Sequence, residues 1–337
     1  MCCRNEGYRL SLMTSEEAGA GPSVVVTARS FGSGDADPAG LLQKAGLRVE
    51  RADPAHDHAI LKESLPAAVA WIAGTSPIDD RHLAAATNLK VVSRYGTGYD
   101  SVDLAAAARR GLIVTNTPGA NAEAVADHTV GLMLAVLRHL VAGDRASREG
   151  VRPPLRGREL GALTVGIIGF GRIGRAVAYR LIGGFGSRVL AYDPFVAPER
   201  AREAGIEPVG DLAGLARAAD VLTLHMPGGG SAVVDAAFLS RMRPGAVLIN
   251  TARGDLLDEQ AVASALAEGR LAAAAVDVLA SEPATSSPLL AAPNAIVTPH
   301  VAAQTTQAID RMGMMAAEEV VRVLAGHAPR HPVAVPT

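Results

Sequence analysis

The chain has 337 residues, 49% of them hydrophobic and 20% charged, a make-up that suits a soluble globular protein. At roughly 100 to 200 residues per domain it is long enough for two. Lys and Arg together number 32 against 34 Asp and Glu, so the net charge of −2 offers no electrostatic footprint for nucleic acid or an anionic membrane. Cys2 and Cys3 are the only cysteines, and neighbours bridge only with strain. No disulfide framework is expected, and a reducing cytoplasm is the expected setting.

Residues 1–22 lack the basic start and apolar core of a signal peptide and read as a disordered tail. Short apolar runs then alternate with helical patterns, the rhythm of βα units in a parallel sheet. VVVTA at 24–28, VAWIA at 69–73, KVVSR at 90–94 and LIVT at 112–115 predict strands, with helices over 79–86 and 103–110 between them. A long amphipathic stretch over 121–141 follows. Its most apolar part, TVGLMLAVL at 129–137, stops at Arg138, well short of the ~20 residues of a membrane span, and predicts a buried helix. The polar segment 143–160 reads as a connection.

From there the alternation resumes. LTVGIIG, RVLAYD, DVLTLH, GAVLIN, LAAAAVDV and AIVTPH predict the strands of a second doubly wound sheet, with a helix over 258–268. After His300 comes one more helical pattern, 305–325, and no further strand. If that helix returns to the first domain, the second is an insertion: 23–120 with 301–330 form one domain, and 121–300 the other.

The run GFGRIG holds Gly169, Gly171 and Gly174 between a predicted strand and a predicted helix, with Asp193 ending the next strand about 20 residues on. In that context Gly169 permits the tight turn, Gly171 lets the backbone approach a pyrophosphate, and Gly174 lets helix and strand pack closely. The helix N-terminus adds unpaired N–H groups and a partial positive charge. A carboxylate at 193 accepts hydrogen bonds from ribose hydroxyls and repels a 2′-phosphate, and no Arg or Lys follows it in DPFVA, so NAD is favoured over NADP.

Polar residues recur at the C-terminal ends of the later strands, where ligands of open α/β sheets bind: Asn250, Arg253, Asp277, Glu282 and His300. Chemistry on a 2-keto acid needs a cation for the carboxylate, a proton donor for the carbonyl oxygen and a hydride beside the carbonyl carbon. Arg253 suits the first role. His300 suits the second, with Glu282 favouring its protonated form. Taken singly, each is equally a solvated arginine, a loop carboxylate or a strand-end imidazole.

Together these residues resemble the D-isomer-specific 2-hydroxyacid dehydrogenases, in their phosphoglycerate dehydrogenase-like branch. The likeness runs from SRYGTGYDSVDLAAAARRGLIVTNTPGANAEAVADHTVGLML through VGIIGFGRIGRAV, YDP, ADVLTLHMP and LINTARGDLLDEQAVASAL to AAVDVLASEP and NAIVTPHVAAQT. It implies a Rossmann NAD-binding domain inserted into a flavodoxin-like substrate domain, both doubly wound parallel-sheet α/β. It implies Arg253, Glu282 and His300 as the catalytic trio, with His300 as acid/base. It also implies Arg172 and Ile173 at the pyrophosphate turn, Asp193 on the ribose, His225, Met226 and Pro227 near the adenosine, Thr251 and Ala252 along the cofactor, and Asp277 on the nicotinamide amide. Gly96, Thr97 and Gly98 would take the substrate carboxylate on main-chain amides, with Tyr95 beside them among the substrate-binding residues and Thr97 touching the cofactor as well.

A homodimer, a small-molecule substrate and no metal are further expectations, as is the absence of an appended regulatory domain. The chain departs from the resemblance in having Asp127 for a usual Glu, PGGGSAVV for P-L-T-x-x-T, and AGTSPID without a cation, which disfavours a phosphorylated substrate; Arg94 remains as a cation nearby. The leading reading is an NAD-dependent oxidoreductase interconverting a D-2-hydroxy acid and a 2-keto acid. Alternatives are 3-phosphoglycerate oxidation for serine synthesis and an NAD(H)-sensing, corepressor-like binding protein without turnover.

Overall fold

The computed structural model describes residues 21–283 and 285–334. The expected tail therefore lies, up to residue 20, outside the described residues. The chain divides into two compact units, one made of the residues up to Asn121 together with those from Gln304 onward, the other of Ala122–Ala303. No single helix among the described residues is long and apolar enough to cross a membrane.

The first unit is built on a parallel sheet of β1 (Ser23–Val26), β2 (Arg48–Arg51), β3 (Ala68–Ala73), β4 (Val91–Arg94) and β5 (Ile113–Thr115). Its order, β2-β1-β3-β4-β5, is the flavodoxin-like one. β1 and β4 are buried along their whole length, as strands covered on both faces are; β1 reads as an apolar run, whereas β4 also buries the polar Ser93 and Arg94. β2 is absent from the sequence reading. It is the edge strand, its RVER sequence half exposed and braced by an Arg48–Glu50 ion pair at 3.0 Å, so it has no continuous apolar signal.

Helix ends follow their capping residues. The helices Asp80–Ala85, Leu104–Arg109 and Thr306–Leu324 start one residue after Asp79, Asp103 and Thr305, whose side chains accept first-turn amides. The last of these helices packs on β4, with Ser93 Oγ donating to Ala316 O at 3.2 Å. Beyond it the chain pairs antiparallel with the β5 edge, Val333 N donating to Val114 O at 2.8 Å. That pairing is a correction, because 331–333 carries no strand pattern. Glu319, 2% exposed, secures it by accepting Arg330 N at 3.0 Å.

The second unit contains β6 (Thr164–Ile168), β7 (Arg188–Tyr192), β8 (Glu207–Pro208), β9 (Val221–Leu224), β10 (Ala246–Asn250), β11 (Leu271–Val276) and β12 (Ala295–Val297). All are parallel, in the order β12-β11-β10-β9-β6-β7-β8, so the winding reverses between β6 and β9 as in a Rossmann domain. Two apolar clusters cover the sheet, one on each face. Two-residue β8 adds a seventh strand to the expected six; it is too short to leave a pattern. The stretch 121–141 is also not one helix. Ala122–Leu137 is largely buried, the chain breaks at His139 with φ +52°, and Leu140–Arg148, drawn from the supposed connection, turns away by 58° with no buried residue.

One polar network is buried at the C-terminal ends of β1 and β3. Thr27 Oγ1 accepts Trp71 Nε1–H at 3.0 Å and Gly74 N–H at 3.3 Å, and lies 2.7 Å from His56 Nε2. With two donors already received, the hydroxyl gives its proton to Nε2, so His56 carries its own on Nδ1 and donates it to Pro77 O at 3.1 Å. Burial holds the His56 pKa down at about 4, and its side chain is neutral in the fold. The unfolded chain, with an ordinary histidine near ~6.5, binds the extra proton between those values. Stability present above pH ~6.5 is therefore lost as pH falls toward 4, by up to about 3 kcal/mol. Urea unfolding at pH 7 and pH 4.5 should show this decline in the wild type and a shallower one in His56→Gln.

Candidate active site

The glycine run leaves β6 and enters the helix Arg172–Phe185 with Gly171 at its N-cap and no side chain capping it. Each glycine is there for a different reason. Gly169 has φ +92°, and a Cβ on it would sit 2.5 Å from His225 O. At Gly174 a Cβ would meet Gly169 O at 2.2 Å, so the helix lies directly on the turn. Gly171 has open space within 4 Å, leaving the first-turn amides of a 14-residue helix bare toward an anion. Arg172 is exposed and Ile173 half-buried on that turn. These features fit the diphosphate of a dinucleotide.

Asp193, just past β7, accepts Phe170 N at 2.7 Å through Oδ2 and Phe195 N at 2.8 Å through Oδ1. The carboxylate thus ties the glycine turn to its own loop and keeps lone pairs for ribose hydroxyls. Beside it lies a small hollow lined by Phe170, Ala191, Val196, Ala201 and Val209 together with Asp193 itself.

His225 presents its backbone to this turn. Its N donates to Ile168 O at 2.7 Å, while Nε2 pairs with Thr223 Oγ1 at 3.0 Å and Nδ1 is shut away from solvent. Desolvation drives its pKa to about 3, so the ring stays neutral. Met226 is half-buried and Pro227 exposed. The glycine-rich loop after them is held by Asp255, which accepts Gly229 N at 2.5 Å. That residue stood unassigned in the sequence, where only the Gly-Asp turn after Arg253 hinted at it.

Around β10, the side chains of the Thr251–Arg253 segment diverge. Thr129 Oγ1 donates to Val125 O at 2.7 Å, so it accepts from Thr251 Oγ1 at 2.8 Å, and the Thr251 hydroxyl is engaged within the unit. Ala252, 8% exposed, is fixed through its N to Asn250 Oδ1 at 3.0 Å. Asn250 Nδ2 also holds Arg253 O at 2.7 Å. The Arg253 guanidinium is half-buried and donates to Ala252 O at 2.7 Å.

Gly254 has the main chain of Leu279 and Ala280 against it, so that a Cβ added there would lie 2.0 Å from Leu279 C. Only glycine lets these two loops meet. Leu279 N in turn donates to Glu282 Oε1 at 3.1 Å, and Glu282 Oε2 lies 2.8 Å from His300 Nδ1. Arg253, Glu282 and His300 are thereby gathered beyond neighbouring strand ends of one sheet. Burial pushes the Glu282 carboxyl up, but the His300 hydrogen bond and charge and the Leu279 amide outweigh it, leaving it below the usual carboxylate range. An ionised Glu282 takes Nδ1–H and leaves Nε2 as the nitrogen that meets a ligand.

Asp277 is 1% exposed. Its carboxylate accepts Thr298 Oγ1 at 2.5 Å, Val301 N at 2.9 Å and Ala302 N at 2.8 Å, so the structure makes it a buried anchor. Burial alone would raise this carboxyl; His128, Thr298 and the two amides bring it below its ordinary value.

In the first unit, Tyr95 is 8% exposed and its hydroxyl donates to Ile309 O at 3.2 Å. Gly96, at φ +133°, has given its N–H to Thr117 Oγ1 at 3.0 Å. The Tyr95 amide is likewise engaged within the unit, donating to Ala73 O at 2.9 Å. Thr97 and Gly98 are the half-exposed members, with Thr97 Oγ1 donating to Asn121 Oδ1 at 3.0 Å. Arg94 is turned inward onto the carbonyls of Ala73 and Tyr95. Asp127, the departure from Glu, pairs with Arg180 Nε at 2.7 Å and joins the helices Ala122–Leu137 and Arg172–Phe185.

Fold and geometry define the class: an α/β protein of two units, one a Rossmann nucleotide-binding domain with a histidine–carboxylate pair beyond its strand ends. Comparison with known proteins narrows it. The profile of the D-isomer specific 2-hydroxyacid dehydrogenase NAD binding domain matches residues 130–302. D-3-phosphoglycerate dehydrogenase of Mycobacterium tuberculosis is 42% identical over 259 residues, covering 76% of this chain and 49% of that one. Hydroxypyruvate reductase of Thermotoga maritima is 37% identical over 249 residues, 72% of this chain and 80% of that one. The crystal structure of TT0316 protein from Thermus thermophilus superimposes with a TM-score of 0.83 at 37% identity, covering 93% of this chain and all of that one. The chain belongs to the D-isomer specific 2-hydroxyacid dehydrogenase family. It spans about half the length of the D-3-phosphoglycerate dehydrogenases it matches.

The three glycines separate by experiment. Gly174→Ala should lower the melting temperature of the apoprotein, because its methyl displaces the helix from the turn. Gly171→Ala should leave that temperature unchanged yet weaken NADH binding, read by fluorescence titration, by about tenfold or more.

Proposed function

We propose that this protein interconverts a D-2-hydroxy acid and its 2-keto acid with NAD as cofactor. The observation that carries the reading is the 2.8 Å pair of His300 Nδ1 with Glu282, locked beside the Arg253 loop by the Gly254 contact. The bound nicotinamide cofactor supplies or accepts the hydride. In reduction, the proton on His300 Nε2 goes to the carbonyl oxygen as it becomes a hydroxyl, while Glu282 holds Nδ1–H and balances the positive ring. In oxidation Nε2 takes that proton back. Arg253 pairs with the substrate carboxylate through its guanidinium and polarises the carbonyl.

Asp193 supports NAD over NADP, since its carboxylate stands where a 2′-phosphate would add like charge. The cofactor and the cysteine content also suit a cytoplasmic enzyme. The name of the Mycobacterium tuberculosis relative favours a second reading, 3-phosphoglycerate as substrate. Against it, AGTSPID carries no cation and Arg94 is engaged with backbone carbonyls.

Assay of hydroxypyruvate, glyoxylate, pyruvate and 3-phosphoglycerate with both cofactors separates the two. A preference of orders of magnitude for the phosphorylated acid would reverse our choice. In His300→Ala and Arg253→Ala we expect turnover to drop by roughly 100-fold or more with NADH binding retained; loss of NADH binding by a folded His300 variant would contradict its assignment.

The helix Leu140–Arg148 and the segment after it expose Leu140, Val141, Val151 and Leu155 together, more apolar surface than a free arm needs. This supports a homodimer formed on that arm. Sedimentation of the wild type as a dimer and of Leu140→Glu/Val141→Glu as a monomer is expected; a monomeric wild type would refute it.

A further inference from the structure

His128 lies on the buried helix Ala122–Leu137 and takes no part in the reading above. Its Nε2 is 3.2 Å from Thr298 Oγ1 and 3.5 Å from Asp277 Oδ1. Thr298 has already committed its proton to Asp277 Oδ1, so its oxygen can only accept from His128, which must carry hydrogen on Nε2. The imidazole therefore closes, from the neighbouring helix, the cluster in which Asp277 gathers Thr298, Val301 N and Ala302 N.

The same cluster controls His300. Its N donates to Asp277 O at 2.9 Å, and its backbone stands at φ +54°, a left-handed conformation that a non-glycine residue keeps only when its surroundings enforce it. The amides on which that conformation hangs, those of His300, Val301 and Ala302, all end on Asp277. Relaxing the turn would rotate the imidazole away from Glu282.

We propose that His128 is a positioning residue for His300: by donating to Thr298 Oγ1 beside Asp277, it holds the 298–302 turn in the conformation that sets the His300 ring against Glu282. The proposal rests on the reading of His300 as acid/base. A residue acting in this way affects turnover more than binding.

The test compares His128→Ala, His128→Gln and Thr298→Val with hydroxypyruvate and NADH. In His128→Ala we expect kcat to fall about fivefold, the size of one hydrogen bond, with KM and the NADH Kd changed by less than about twofold. The amides of Val301 and Ala302 should exchange hydrogen faster in the apoprotein. His128→Gln, whose side-chain N–H reaches the place of Nε2, should restore both readings. Thr298→Val removes the link from its other end while keeping shape, and should reproduce the alanine variant, so a folding failure in one does not shield the idea. Unaltered kcat and exchange in the alanine and valine variants, or no recovery with glutamine, overturns the proposal. Full turnover by His300→Ala would instead overturn the acid/base reading, and the exchange rates would still judge the turn by themselves.

Discussion

The pairing of His300 Nδ1 with an ionised Glu282 is the interaction on which the proposed chemistry of this molecule depends. A lone imidazole at a strand end can hold its proton on either nitrogen. With a carboxylate at Nδ1 the choice is made, and the ring can shuttle a proton only through Nε2. Everything around the pair serves to keep it: Leu279 N on the other carboxylate oxygen, Gly254 pressed on the Leu279–Ala280 main chain, and Asp277 beneath the turn.

Backbone proximity, rather than side-chain bulk, arranges both halves of the nucleotide unit's working edge. At the glycine turn, Gly169 meets His225 O and Gly174 meets Gly169 O. Beside Arg253, Glu282 and His300, Gly254 meets Leu279. In each case the loops from separate strands approach more closely than any Cβ allows, and polar side chains such as Asp193, Asn250 and Asp255 then tie the touching loops by accepting or donating to main-chain groups. Rigidity of this kind suits an edge that must hold charged groups in a fixed arrangement.

Much of this was legible in the sequence, and what was not has a physical explanation. Strands buried on both faces leave apolar runs, so β1 and the central strands of the second sheet were readable, and β4 through its paired valines; edge strands β2 and β8 are charged or too short and left none. The trio and Asp193 stood out because polar residues at strand ends have no packing reason to be there. Roles resting on partners distant in sequence did not. Nothing near His56 points to Thr27 or Pro77, nothing near His128 points to Thr298, 170 residues away, and the inward turn of Tyr95 and Gly96 depends on Ile309 and Thr117. The helix break at His139 was hidden for another reason: apolarity continues through Leu140 and Val141, but the core they would join ends before them.

The first unit is assembled from two stretches that synthesis separates by the whole of the second. Ser93 must wait for Ala316, 223 residues later, and the β5 edge for Val333. On a ribosome the early sheet therefore emerges without the helix that packs on β4 and with one rim unpaired, while Ala122–Ala303 can complete itself first. The inserted unit, once compact, also shortens the effective loop that the returning helix has to close, so the order of emergence lowers the entropic cost of finishing the fold.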